Sequence, residues 1–233
     1  MNIRILHLVE GAKKAVGVAV IIDVFRAYSV ECYLMQNGTQ RLYPVADMQV
    51  AYDFKKDHPD AILVGERKGV ILPGFDYGNC PADLEKVDFT GKTIVHTTSA
   101  GTQGIINAKN ADVILGGCLL NAPAIAKYIK EQGFSDVSLV CMGLMAQRHT
   151  EEDTLCAEYI KSLLEEKPFD LQSGIEGLKT TSGAKFFDPA QQNVFPKRDF
   201  ELCTQPGKFD FVLRVEKDPD NGMDRIYKID MNK

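Results

Sequence analysis

Short apolar runs alternate with longer amphipathic stretches over the first two thirds of the chain. The runs at residues 18–24, 61–64, 93–96, 113–115 and 137–141 have the length of strands, and several lead into helix-like stretches of about ten residues or more. Ala122, Ile125, Ala126 and Ile129 recur at helical spacing over residues 122–132, and Leu155, Ile160, Leu163 and Leu164 do much the same over residues 151–165. This alternation predicts an α/β fold in which helices cover a sheet of largely buried strands.

Past residue 167 the periodicity weakens. Residues 171–203 contain Ser182-Gly183 and Asp188-Pro189 and read as short helices with loops that cap the core or meet a partner. The tail carries two alternating runs, residues 209–215 and 225–229, divided by Pro219, Asn221 and Gly222, which suits a β-hairpin extending one edge of the sheet. No repeat, low-complexity tract or flexible linker interrupts the chain. We therefore expect one domain over residues 1–233, with a division near residue 167 into core and C-terminal cap as the alternative.

Composition narrows the picture. A chain of 233 residues can bury a core without an external staple, and 45% hydrophobic with 25% charged residues excludes disordered, collagen-like and coiled-coil chains. The net charge of −5 gives no general attraction to a phosphate backbone, so nucleic acid is not an expected partner, and any anionic ligand must be held by local cations or a metal. No apolar run has the length of a membrane span, and Met1-Asn2-Ile3-Arg4-Ile5-Leu6 lacks the order of a signal peptide, so we expect a soluble cytoplasmic protein without membrane contact. Cys32, Cys80, Cys118, Cys141, Cys156 and Cys203 lack the close paired spacing of a zinc site or a disulfide framework and read as reduced thiols, with Cys141 as a small buried hydrophobe.

In open α/β sheets ligands collect where strands end and helices begin. Four such places carry candidate chemistry. Ile21-Ile22-Asp23-Val24-Phe25-Arg26-Ala27 runs from an apolar strand into an acid and then an arginine, so Asp23 could hold a cation and Arg26 an oxyanion, unless the two form a structural ion pair. Val64-Gly65-Glu66-Arg67-Lys68-Gly69 offers Glu66 as a second metal ligand, or a solvated charge cluster, and the turn-rich Gly74-Phe75-Asp76-Tyr77-Gly78-Asn79-Cys80-Pro81 follows it. His96-Thr97-Thr98-Ser99-Ala100-Gly101-Thr102 passes from a strand to hydroxyls and glycine, which suits an anion cradle at a helix start or a simple helix cap; it lacks the lysine of a Walker loop. In Gly143 to Asp153, Thr150 and Asp153 have capping-box spacing, and the acids Glu151, Glu152 and Asp153 complement a helix dipole while leaving one carboxylate free for a metal.

Taken in order, Asp23-Val24-Phe25-Arg26-Ala27, Gly65-Glu66, Gly74 to Pro81, Thr97 to Thr102, and Glu152-Asp153 with Cys156-Ala157 resemble the 2-phosphosulfolactate phosphatase, or ComB-like, family over roughly residues 18–160. The resemblance implies a three-layer α/β/α fold with a mixed, largely parallel sheet. It further implies a magnesium-dependent phosphatase acting on a small phosphorylated 2-hydroxycarboxylic acid. It places Asp23, Glu66, Glu152 and Asp153 on metal positions, Asp23, Arg26 and Glu66 in catalysis, and Arg26, Asn79, Thr97, Thr98, Gly101 and Thr102 on the substrate. Two positions depart from the pattern, Cys80 where serine is usual and Ala100 where asparagine is often found. The named enzyme serves coenzyme M synthesis, which nothing in this sequence addresses. The rivals are a phosphometabolite-binding module and a thiol or serine hydrolase using His96 or His149, for which the Gly-x-Ser-x-Gly elbow is missing; assembly into a homo-oligomer stays open.

Overall fold

The strand expected at residues 18–24 forms as Gly17–Ile22, and it is the axis from which the architecture grows. In the computed structural model, which describes residues 1–231, the strands in chain order are β1 (Asn2–His7), β2 (Gly17–Ile22), β3 (Arg41–Val45), β4 (Ile62–Arg67), β5 (Val70–Ile71), β6 (Thr93–Thr97), β7 (Ala111–Gly117), β8 (Asp136–Cys141), β9 (Phe211–Lys217) and β10 (Asp224–Asp230). Between them lie helices α1 (Leu8–Lys14), α2 (Ala27–Gln36), α3 (Met48–Asp57), α4 (Pro81–Leu84), α5 (Gly101–Asn107), α6 (Ala122–Gln132), α7 (Glu151–Glu165), α8 (Leu171–Leu178) and α9 (Lys197–Cys203).

The sheet runs β1-β8-β2-β7-β9-β10-β3-β6-β4-β5. Strands β1, β8, β2 and β7 pair in parallel, as do β3, β6 and β4. Parallel strands need cover on both faces, and β2 shows that cover directly. A side chain at Gly104 of α5 would strike Ile21, whereas one at Gly117 would meet Val20 and Ile22 together with Ile125 of α6. Neighbouring residues of a strand point to opposite faces, so α5 and α6 lie on opposite sides of the sheet, giving the expected α/β/α layers. The described helices include none long and apolar enough to cross a membrane.

The C-terminal hairpin forms as expected, but its place differs from the expected edge. Strand β9 pairs antiparallel with β7, and β10 meets β3 through Ile226 and Leu42, so the hairpin joins the two parallel groups in the middle of the sheet. Pairing with β7 on one side and β10 on the other leaves β9 no open hydrogen-bonding edge, and Phe211, Val212 and Leu213, buried in succession, show that both its faces are covered as well. Across this hairpin the two parallel groups run in opposite directions. Sheet twist, roughly 20–25° between neighbouring strands, accumulates over the five steps from β2 to β6, and the carboxyl ends of both groups meet at one pocket, where Asp23 after β2 and Thr98 after β6 both line the wall.

Leu213 is fully buried at this junction. Leu213→Ala should lower the unfolding free energy by about 2–5 kcal/mol, read as a lower urea midpoint; a change of under about 0.5 kcal/mol would show that the hairpin does not tie the two groups together.

Candidate active site

Strand ends build one pocket of about 480 Å³, lined by Asp23, Arg26, Glu66, Asn79, Thr98, Glu152 and Asp153 among others. Asp23 follows β2 directly, and its Oδ1 accepts the amide of Ala27 at 3.2 Å, so the carboxylate secures the first turn of α2 while Oδ2 stays free of protein donors among the described residues. Gly101 is what lets it fit: a Cβ there would stand 3.3 Å from Asp23 Oδ2 and 3.1 Å from the Ala27 methyl. Burial above all, then the charges of Glu152, Glu66 and Glu31, push the Asp23 carboxyl up to about 7.

Glu66 and Asp153 are buried acids of another kind. Glu66 Oε2 accepts the Gly69 amide at 2.6 Å, and its Oε1 accepts both the amide (3.1 Å) and the hydroxyl (2.8 Å) of Ser99. Asp153 Oδ1 accepts the Val24 amide at 2.9 Å and Oδ2 the Gly143 amide at 2.7 Å, which ties the loop after β2 to the loop after β8. The capping box expected from Thr150 and Asp153 is therefore not formed, because the aspartate reaches across to two other loops. Glu152 differs again: its side chain is buried with Oε2 in no hydrogen bond, and burial raises its pKa against the opposing pull of the nearby Ser182 and Thr150 hydroxyls.

The alternative of a structural ion pair between Asp23 and Arg26 is not what forms, because Arg26 takes another partner. Arg26 Nη1 donates to Asp199 Oδ2 at 2.5 Å and to the Val194 carbonyl at 2.9 Å, with the guanidinium 4.9 Å from the centre of the Phe195 ring. Asp199 Oδ1 also accepts the Ala82 amide and the Cys80 thiol, so the thiol at the departure position still serves as a donor.

The cradle expected over residues 97–102 is only partly available to a ligand. The Ser99 donors are taken by Glu66, Thr97 Oγ1 accepts from Arg67 at 3.2 Å, and Thr102 Oγ1 donates to the Thr98 carbonyl; Thr97, Gly101 and Thr102 stand behind the pocket wall. Thr98 does reach the pocket, and its buried hydroxyl has no partner. Buried polar atoms are normally paired. Here Thr98, Thr150, Glu152 and Ser182 all line the pocket with a buried side-chain atom unpaired.

Glu31, Lys185 and Asp199 were not singled out from the sequence, and His96, read there only as the base of a rival hydrolase, has a positioning role instead. His96 is fully buried with Nδ1 2.9 Å from Glu31 Oε1 and Nε2 3.2 Å from Asn79 Oδ1, which leaves the Asn79 amide nitrogen for a ligand. The segment after residue 167 closes the pocket with Thr181, Ser182, Lys185 and Phe195. Burial pulls the Lys185 ammonium below its ordinary pKa, against the opposing charge of Glu152. Glu31 sits on a helix whose residues are almost all buried, and that unbroken apolar context was the available signal for it; Lys185 had none.

Among the described residues no group of three or more His, Cys, Asp or Glu side chains forms a ready-made metal cage. Magnesium does not require one, because it keeps several waters and commonly takes one or two carboxylates together with substrate phosphate. The oxygen-rich lining, the unpaired Glu152 oxygen and the free Asp23 Oδ2 fit such an ion.

A family model described as 2-phosphosulpholactate phosphatase matches residues 4–218. The chain is 31% identical over 202 residues to a probable 2-phosphosulfolactate phosphatase of Bacillus subtilis, an alignment covering 85% of this chain and 87% of that one. A protein of the same description from Caldanaerobacter subterraneus is 30% identical, covering 84% and 87% of the two chains, and one from Carboxydothermus hydrogenoformans is 37% identical, covering 72% and 69%.

Since the Asp23 carboxyl shifts from 3.8 to about 7 on folding, the folded state holds this proton more tightly than the unfolded chain. Its contribution to stability is complete below about pH 4 and is lost as the pH rises toward 7. In EDTA-treated protein the urea midpoint should fall between pH 5 and about 7, and Asp23→Asn should flatten that fall. Parallel curves for the two proteins would show that Asp23 ionises as it does in a free chain.

Proposed function

The chain belongs to the 2-phosphosulpholactate phosphatase family, and on that premise we propose that it is a magnesium-dependent phosphatase of 2-phosphosulfolactate, giving 3-sulfolactate and phosphate, or of a close phosphorylated 2-hydroxycarboxylic acid. One observation carries this reading: the ends of β2 and β4 and the first turn of α7 bring Asp23, Glu66 and Glu152 into the pocket that also holds Arg26, Asn79 and Thr98.

Asp23 and Glu152 would hold the ion, because each keeps an oxygen free of protein donors. A bound magnesium would supply Lewis-acid polarisation of the phosphoryl group. Glu66 and Asp153 work one step back, fixing the loops after β4, β6, β2 and β8 through the backbone amides they accept. The Asn79 amide nitrogen and the Thr98 hydroxyl orient phosphoryl oxygens. Arg26, aimed by Asp199 and Phe195, offers its remaining N–H groups to the charge that develops there. In the net reaction a water oxygen forms the new bond to phosphorus, the ester P–O bond breaks, and the departing alkoxide takes up a proton.

Phosphate release from 2-phosphosulfolactate should require magnesium and stop with EDTA. Asp23→Asn should lower turnover by at least about a hundredfold with an unchanged circular-dichroism spectrum. Near-normal turnover of that variant, or activity indifferent to EDTA, would contradict the proposal.

A further inference from the structure

Charge is divided unevenly within the pocket. Asp23, Glu66 and Glu152 are buried at its floor, Lys68 and Arg148 are exposed at its mouth, and Lys185 is half-buried between them. Arg26, the remaining cation of the lining, already has Asp199 as its counter-ion. Lys185 makes no ion pair or side-chain hydrogen bond among the described residues. Withdrawing an ammonium from water without a paired counter-ion is costly, and the carboxyls that oppose its charge, Glu152 and Asp23, are the two that would hold the ion. Two aromatic rings hold it there, with Nζ 5.3 Å from the centre of Phe186 and 5.0 Å from that of Phe195, and Phe195 itself lines the pocket.

A phosphoryl group bound at the acidic floor accounts for the metal and for Arg26, and leaves Lys185 without a task. Given the phosphatase reading above, on which this step rests, we infer that Lys185 is a specificity-determining residue: it pairs with the carboxylate attached to the ester carbon of the substrate. Such a cation separates phosphorylated hydroxy acids from plain phosphate monoesters, because a neutral substituent leaves the ammonium buried and unpaired. Lysine suits the task as a compact point charge, one that reaches anionic oxygens without demanding the fixed fork of an arginine.

Steady-state kinetics with 2-phospholactate and isopropyl phosphate test this, because the two esters differ only in carboxylate against methyl. Lys185→Met should lower kcat/KM for 2-phospholactate on the order of tenfold or more, chiefly through KM, and change that for isopropyl phosphate by less than about twofold. Lys185→Arg, which keeps the charge, should retain most of the discrimination. Equal losses on both esters, or no loss on 2-phospholactate, would overturn the inference and leave the phosphatase reading standing. Wild-type protein that releases phosphate from neither ester nor from 2-phosphosulfolactate, with magnesium present, would overturn both.

Discussion

Buried negative charge is the constraint on which the rest of this structure depends. Asp23, Glu66 and Glu152 are withdrawn from water in one pocket, and Asp153 lies beside them. Carboxylates so placed must be hydrogen-bonded, protonated or balanced by a cation. Each residue meets that demand in its own way. Glu66 and Asp153 spend both oxygens on backbone amides and hydroxyls, whereas Asp23 retains a proton up to about pH 7 and Glu152 keeps an unpaired oxygen. The first pair stabilises loops, and the second pair is left with the capacity to receive an ion.

That division explains why the loops hold their shape around a polar cavity. Asp153 ties the turn at Val24 to the turn at Gly143, where φ is +64° and a Cβ would stand 2.2 Å from the Arg148 carbonyl oxygen, so glycine alone is accommodated. Glu66 ties the turn at Gly69 to Ser99 in the same manner. The twisted sheet brings these turns together, and the C-terminal segment completes the wall with Lys185 and with Asp199, the counter-ion of Arg26. Stability and function are thus built from the same hydrogen bonds, and the polar atoms that remain unpaired mark where a ligand belongs.

The legible parts of this arrangement were the local ones. An acid at the mouth of a buried strand is informative because only a special environment tolerates it, and Asp23 has such an environment. The sequence could not separate Glu152 from Asp153, since adjacent helical residues diverge in direction and only the packed loops reveal which carboxylate finds donors. The hairpin was readable as a hairpin, but strand order is a long-range property: nothing local in residues 209–229 states that β7 and β3 would otherwise lie open. Lys185 and Asp199 come from a segment of weak periodicity and act across more than 150 residues of chain, as the contact of Arg26 with Asp199 at a separation of 173 shows.

Magnesium titration by calorimetry at pH 7, in two buffers of different ionisation enthalpy, tests the central claim without reference to any substrate. A carboxyl whose pKa burial has raised gives up protons when it becomes a ligand, so the wild-type protein should take up one ion with net proton release, and Asp23→Asn should weaken the uptake and reduce the release. Absence of magnesium uptake by the wild-type protein, or uptake without proton release and unchanged by the substitution, would contradict it.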